Sequence, residues 1–362
     1  MENIKKLRTW LKQQEYDGII LNRRDNYAWL TAGRENHVLE STDIGVAPLI
    51  ITSDRTDIFA DSSDAARIAD EQNFPGGNVI MVPWYESMEQ ALTGGAAGQR
   101  IVSDTGIGNT PNVQPELVSL RMQLSEDELE EYRILGQQCA RLVESVCRSA
   151  IPGQTEMELA AGLKYLCLEQ GIHPDCVLVG SDERIIKYRH PMPTEKKLEN
   201  SLMIVLGAQR SGLNISLTRM VYFQKVPKDI QEKYRKVQQI FAAMQTGMKA
   251  GTAYREYFAF VRRLFEAAGY PEEWKFHHQG GPTGYACREF TVSPQSSGEI
   301  RLNQAYAWNP TISGVKCEET TFLSRDGIET FTGTDNWPRR VIATADGNFE
   351  TAQILEKKGE RI

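Results

Sequence analysis

The sequence predicts a two-domain chain, with a small α/β domain over residues 1–118 followed by an internally duplicated α+β domain over 119–362. Three observations lead there. At 362 residues the chain exceeds what a single ordinary core organises. Its first third alternates helical apolar spacing with short apolar runs, and closes on a Gly-, Asn-, Pro- and Thr-rich stretch from Thr105 to Gln114. Past that stretch the order helix, break, helix, strand occurs twice, as expected of a repeated unit whose helices cover one face of a sheet.

The elements follow from local pattern. Ile4 to Gln13 has apolar residues at helical spacing, and Gly18-Ile19-Ile20-Leu21 is an apolar run of strand length. Val46 to Thr52 and Thr56 to Ala60 read as two more strands, Ser62 to Gln72 as a helix, and Ile101 to Asp104 as the last strand of the first domain. The segment around Arg23, Asp25, Tyr27 and Trp29 reads as a polar, aromatic loop that could face a substrate. Ser125 with Glu128 forms a capping box, in which hydroxyl and carboxylate satisfy amides left open at a helix start, so a long helix should run to about Ala150. Pro152-Gly153 breaks it, and Thr155 with Glu158 caps a second helix that ends at Gln170. In the second copy Pro227 opens a helix to Lys249, Gly251 breaks it, Thr252 caps the next and Gly269 ends that one. Ile240, Met244 and Met248 recur at helical spacing and read as core.

Composition excludes several classes. Hydrophobic residues make up 41% and charged residues 25%, the balance of a soluble globular protein. A net charge of -7 without a local Lys/Arg block argues against a nucleic-acid partner, because phosphate binding needs a basic face. No run approaches the ~18 apolar residues of a membrane span. The start is polar and amphipathic rather than a signal core. Six cysteines without a CxxC pair read as buried thiols, and the expected setting is a reducing cytoplasm.

The segments LRMQLSEDELEEYR (120–133), RHPMPTEKKLENSLMIVLGA (189–208), GAQRSGLNISLTR (207–219), HHQGGPTGY (277–285) and WNPTISGVKCEETTFLS (308–324) stand in a fixed order. In that order they resemble successive parts of the creatinase/aminopeptidase P/proline dipeptidase superfamily, whose catalytic fold is called pita-bread. The first third resembles its smaller creatinase-like domain, so the resemblance covers the chain to about residue 330. It implies hydrolysis of a C–N bond in a small-molecule substrate, and a homodimer.

Metal-dependent members of that superfamily hold two divalent ions with two Asp, one His and two Glu. The resemblance puts Val205 and Ser216 at the Asp positions, Gly281 at the His, Asn309 at the first Glu and Glu318 at the second. Between Glu199 and Asp229 there is no acidic residue, so no shift of alignment restores the pair. The expectation is therefore no metal and no cofactor. A single ion on His190, His277 or His278 with Glu318 is the arrangement left over, and it has neither the carboxylates of a hard-metal site nor the spacing of a zinc motif.

The site residues each carry a bland reading beside a functional one. His190 reads as an exposed loop histidine; by the resemblance it lines the pocket and transfers protons, for which imidazole is suited. Glu318 shares a strand face with Lys316 and reads as solvated; by the resemblance it points inward and meets a cationic or N–H-rich substrate. Arg219 either binds a substrate carboxylate in bidentate fashion or pairs with Glu318. Thr218 stands where creatinase carries a Glu, which argues against creatine as the substrate. His277, His278 and Tyr285 bracket a glycine-rich loop that lets backbone approach a ligand. Neighbouring side chains of an extended segment point to opposite faces, so at most one of the two histidines enters the pocket, His277 by the resemblance. Asn309, with Trp308, would line the vacated cavity. Arg288 and Glu289 read as a structural ion pair.

The leading expectation is thus a metal-independent hydrolase of a C–N bond in a small charged metabolite. His190 and Glu318 would be catalytic, with Arg219, Thr218, His277, Tyr285 and Asn309 around the substrate. The alternatives are an Xaa-Pro dipeptidase- or aminopeptidase-like peptidase with an aberrant metal site, and a non-catalytic module that binds a peptide or protein.

Overall fold

A computed structural model of the chain describes residues 2–94 and 98–357, in two compact units. The first unit reaches Met122 and takes in Ser211–Leu213; the second holds the remainder.

In the first unit, α1 (Glu2–Gln13) buries Ile4, Leu7 and Leu11, one helical stripe. Strand β1 (Gly18–Arg23) is followed by α2 (Arg24–Leu30), β2 (Ile44–Thr52), β3 (Thr56–Asp61) and α3 (Ala65–Glu71). Then come β4 (Asn78–Val82), α4 (Met88–Thr93), β5 (Ile101–Ser103) and α5 (Gln114–Arg121). The sheet runs β4-β3-β2-β1-β5, parallel at β3/β4 and β1/β5 and antiparallel between. The segment read as a substrate-facing loop is α2, with Tyr27 and Trp29 in the interior. Helix α5 carries the unit past residue 118 because buried Arg121 ties it to α2, pairing with Asp25 at 2.9 Å and donating to Asn26 Oδ1 at 2.6 Å. Strand β4 gave no alternation to read: as an edge strand it is exposed or half-buried along most of its length.

The second unit repeats one plan. Helices α6 (Glu126–Ser149) and α7 (Glu156–Glu169) both carry complete capping boxes, from Ser125 and Thr155. They lead into β6 (His173–Ser181), the short α8 (Glu183–Lys187), β7 (Ser201–Arg210) and β8 (Leu213–Tyr222). The second copy has α9 (Lys228–Thr246), α10 (Tyr254–Ala267), β9 (Gly280–Thr283), β10 (Gln304–Trp308), β11 (Thr311–Ile312), β12 (Val315–Lys316), β13 (Glu319–Ser324) and β14 (Gly327–Thr330). Thr252 does not cap α10; Ala253 holds that place without a side-chain bond. Three further strands, β15 (Arg339–Thr344), β16 (Gly347–Ala352) and β17 (Leu355–Glu356), lie beyond the span of the resemblance.

Two four-stranded sheets result, β17-β8-β7-β6 and β14-β13-β10-β9. Strands β7 and β8 are buried almost throughout, as in a sheet covered on both faces. Ile240 and Met244 of α9, with Met248 just past its end, pack with Tyr257 and Trp308 in one apolar cluster. The sheets are stitched at β8: Ser216 N donates to Thr320 Oγ1 at 2.8 Å and Thr218 N to Glu318 O at 3.2 Å. That seam carries the candidate site. Among the described residues no helix is long and apolar enough to cross a membrane.

Candidate active site

Glu318 lies between β12 and β13 and is 4% exposed. An ionised carboxylate offers about four acceptor positions, and here all are taken. Oε1 accepts from Arg288 Nη2 (3.0 Å) and Asn309 Nδ2 (3.3 Å); Oε2 accepts from Thr218 Oγ1 (2.7 Å) and Lys316 Nζ (2.9 Å). Burial by itself would raise the Glu318 carboxyl, but Lys316 and Arg288 overcome it and hold the group at about 2. The shared strand face with Lys316 is thus an interior one, Lys316 being 3% exposed. The expected role of Glu318 changes accordingly: it anchors two cations and has no acceptor position left for a substrate N–H. Arg288 does not pair with Glu289 as expected. It reaches across to Glu318 and to Ser216 Oγ (3.0 Å), while Glu289 accepts from Tyr285 N (3.0 Å).

The superfamily's two-ion centre does not fit these residues. Val205 is part of the apolar cluster. Ser216 is bonded to Arg288. At Gly281 a Cβ would stand 2.3 Å from Phe290 O, so no histidine could occupy that position without moving the backbone. Asn309 brings an amide where a carboxylate is needed. Positive charge is supplied instead by Lys316 and Arg288, on the single surviving carboxylate.

Beside them stand three imidazoles. His190 follows α8, and His277 and His278 precede β9. Nε2 of His277 lies 3.0 Å from Nε2 of His190, and the rings of His277 and His278 stack at 4.4 Å between centroids. The rule of opposite faces fails here because residues 277–279 are not strand; the chain bends at His277 and both rings turn the same way. Burial, then Lys316, pushes His277 down to about 2, and the partial enclosure of His278, exposed at one edge, with Arg288 pushes it to about 4. His190, also exposed at one edge, is lowered by partial enclosure and Lys316, against Glu318. All three rings are therefore neutral near pH 7.

A pH dependence of stability follows. Buried His277 stays neutral in the fold, whereas the unfolded chain takes up a proton below about 6.5. Its contribution is fully present above that pH and is lost as pH falls, by ~2 kcal/mol at pH 5. Urea midpoints at pH 7.5 and 5 should show this loss in the parent and a smaller one in His277→Gln; equal losses would assign the effect elsewhere.

Four of the unpartnered buried side-chain atoms among the described residues belong to this site: His277 Nδ1, Gln279 Oε1, Arg288 Nε and Asn309 Oδ1. Such atoms are uncommon in folded proteins and concentrate where a ligand or water completes them. The structure thus brings together His190, His277, Thr218, Asn309 and Glu318. It does not bring in Arg219, which is fully enclosed between Glu144 and Glu319 at 3.1 Å each, nor Tyr285, whose hydroxyl donates to Glu128 at 2.7 Å. Side-chain alternation puts Arg219 on the opposite strand face from Thr218, which bonds Glu318. Sequence reasoning gave Lys316 and Arg288 other roles, left Ser216 as a lost ligand, and sent His277 alone of the two neighbouring histidines into the pocket. The readable signal was two cations, an arginine and a lysine, arriving near positions from which acids are missing.

Both units match known proteins. Residues 130–325, more than half of the chain, match metallopeptidase family M24, and residues 3–111 match the creatinase/prolidase N-terminal domain. An Xaa-Pro dipeptidase of Pyrococcus horikoshii is 19% identical, over 92% of this chain and 97% of its own. The crystal structure of the prolidase from Pyrococcus horikoshii has a TM-score of 0.77 at 18% identity, covering 92% of this chain and 99% of its own. An Xaa-Pro dipeptidase from Bacillus anthracis has a TM-score of 0.75 at 17%, covering 98% and 99%. The N-terminal domain of the FACT complex subunit SPT16 from chickpea has a TM-score of 0.66 at 11%, covering 91% and 96%.

Proposed function

Because the chain belongs to metallopeptidase family M24, and to the creatinase/aminopeptidase P/prolidase superfamily, we propose that it hydrolyses a C–N bond without the superfamily's two-ion centre. The substrate class is a small, peptide-like molecule with a carboxylate. One observation carries the reading: two cations share a carboxylate that has no acceptor position left, and they keep donors of their own. Lys316 Nζ has three N–H groups and one carboxylate oxygen among its described partners, and Arg288 Nε has none. Spare cationic donors in an enclosed site suit a carboxylate or a developing oxyanion.

The imidazoles supply the rest. His190 is exposed, neutral and bonded to His277, so it can take a proton from water as the oxygen attacks the carbonyl carbon. The same proton returns to the nitrogen as the C–N bond breaks. Names of relatives containing Xaa-Pro dipeptidase and prolidase support a dipeptide as the first substrate to try.

The test is a panel of free dipeptides, including Xaa-Pro, beside the same dipeptides with an amidated C-terminus. Free forms should be hydrolysed, and amidation should raise KM by roughly 10–100-fold, the worth of a charge-assisted hydrogen bond. Arg288→Gln should reproduce that rise with the free form. Equal turnover of both forms would remove the carboxylate from the proposal. No turnover, with thermal stabilisation by a peptide, would favour the binding-module alternative.

A further inference from the structure

We propose that His190, His277 and His278 together hold one first-row transition-metal ion of the imidazole-binding kind, with zinc as the reference case. The site differs from the superfamily's carboxylate pair in its residues, three imidazoles in place of acids. The inference rests on the hydrolase reading and deepens it, since the imidazoles would then act on the water through a bound ion.

The geometry points there first. One ligand nitrogen from each ring lies within 4.8 Å of the others. Two nitrogens on one tetrahedral zinc, at about 2.0–2.1 Å each, stand about 3.3 Å apart. The His190–His277 pair is already at 3.0 Å, and the His278 nitrogen lies within 4.8 Å of both, so side-chain rotation of the three rings could converge them on one ion.

A second observation is the state of His277. It is 7% exposed, its Nδ1 is unpartnered, and its one side-chain bond among the described residues is to another imidazole. Enclosing an imidazole with so little compensation is costly, and a metal bond at Nε2 would replace a single imidazole–imidazole contact with a stronger one. The hydrogen shared between the two Nε2 atoms must leave that position by tautomerisation to Nδ1 of the same ring, which frees both Nε2 lone pairs. His190 and His278 are exposed, which leaves the open coordination positions toward solvent, as in zinc sites with three protein ligands and a water.

The charges nearby select the ion. Lys316 and Arg288 both face the cluster and Glu318 balances one of them, leaving a net positive surround. Hard ions such as magnesium or manganese, which depend on carboxylate charge, are disfavoured. Zinc, cobalt, nickel and copper bind neutral imidazole directly.

The test uses the full chain, stripped with chelator and titrated with Co²⁺ and Zn²⁺ in the absence of any substrate. One equivalent should bind, with visible Co²⁺ absorption of a low-coordinate nitrogen site that Zn²⁺ bleaches. His190→Ala, a change at an exposed loop position, should weaken binding by at least ~100-fold, more than loss of an outer-shell partner costs. His278→Ala should do the same, whereas Glu318→Gln should retain one equivalent. Binding abolished by Glu318→Gln alone, two equivalents in the parent, or full affinity in a correctly folded His190→Ala would each overturn the site. An ion bound with this pattern but no peptide turned over would fail the hydrolase reading and leave the site standing.

Discussion

Replacing His190 by alanine should lower turnover of the accepted substrate by ~10²–10⁴-fold, the range for a lost proton-transfer group. Stability should change by no more than about 1 kcal/mol, the worth of one hydrogen bond. The asymmetry comes from position. His190 is exposed in the loop after α8, so its removal opens no core cavity, yet its Nε2 is the partner of buried His277. Both routes by which the imidazoles could act on water pass through it, so the loss is expected whether the proton moves directly or from an ion-bound water. The two routes separate on chelation: a direct relay survives exhaustive metal removal and an ion-dependent one does not. Near-normal turnover in a folded His190→Ala protein would strip the residue of its role and leave His277 as the remaining buried imidazole.

Arg219→Met should destabilise the protein by ~3–5 kcal/mol, since it leaves buried carboxylates without their cation. The Arg219 guanidinium is fully enclosed. Nε pairs with Glu144, Nη1 with Glu319, Nη2 donates to Thr332 O at 2.7 Å, and the group lies over the Trp337 ring at 5.7 Å. Arg339 stands 3.6 Å from Glu319 and compensates it in part, but among the described residues no second cation pairs with Glu144. Methionine keeps much of the volume, so the loss measures charge rather than a cavity. Adding Glu144→Gln to Arg219→Met should recover part of it. Chemical denaturation reads the effect directly, and KM of the surviving folded fraction should be unchanged. A variant of normal stability with a raised KM would return Arg219 to the role of substrate anchor.

Much of the architecture was written in short-range signals. Ser125 with Glu128 and Thr155 with Glu158 marked two helix starts, and both boxes form as the side chains alone require. The repeated helix–break–helix–strand order exposed the duplication, and the stretch from Asn200 to Lys228 holds no acid that could supply the carboxylate pair. These are local or compositional facts, which a chain carries into any fold. The choice of partners was different. Arg288 had Glu289 beside it in sequence and took Glu318, thirty positions on; Arg219 took Glu319 and left its neighbour Thr218 to Glu318. His277 and His278 face one way because the chain bends just before β9, which no alternation rule could announce. What could be read along the chain was thus the elements, their duplication and the lack of acidic residues where a two-ion centre would need them. The tertiary structure alone decided which charges meet and where three imidazoles converge, because a long side chain pairs across whatever surface the packed sheets bring within its reach.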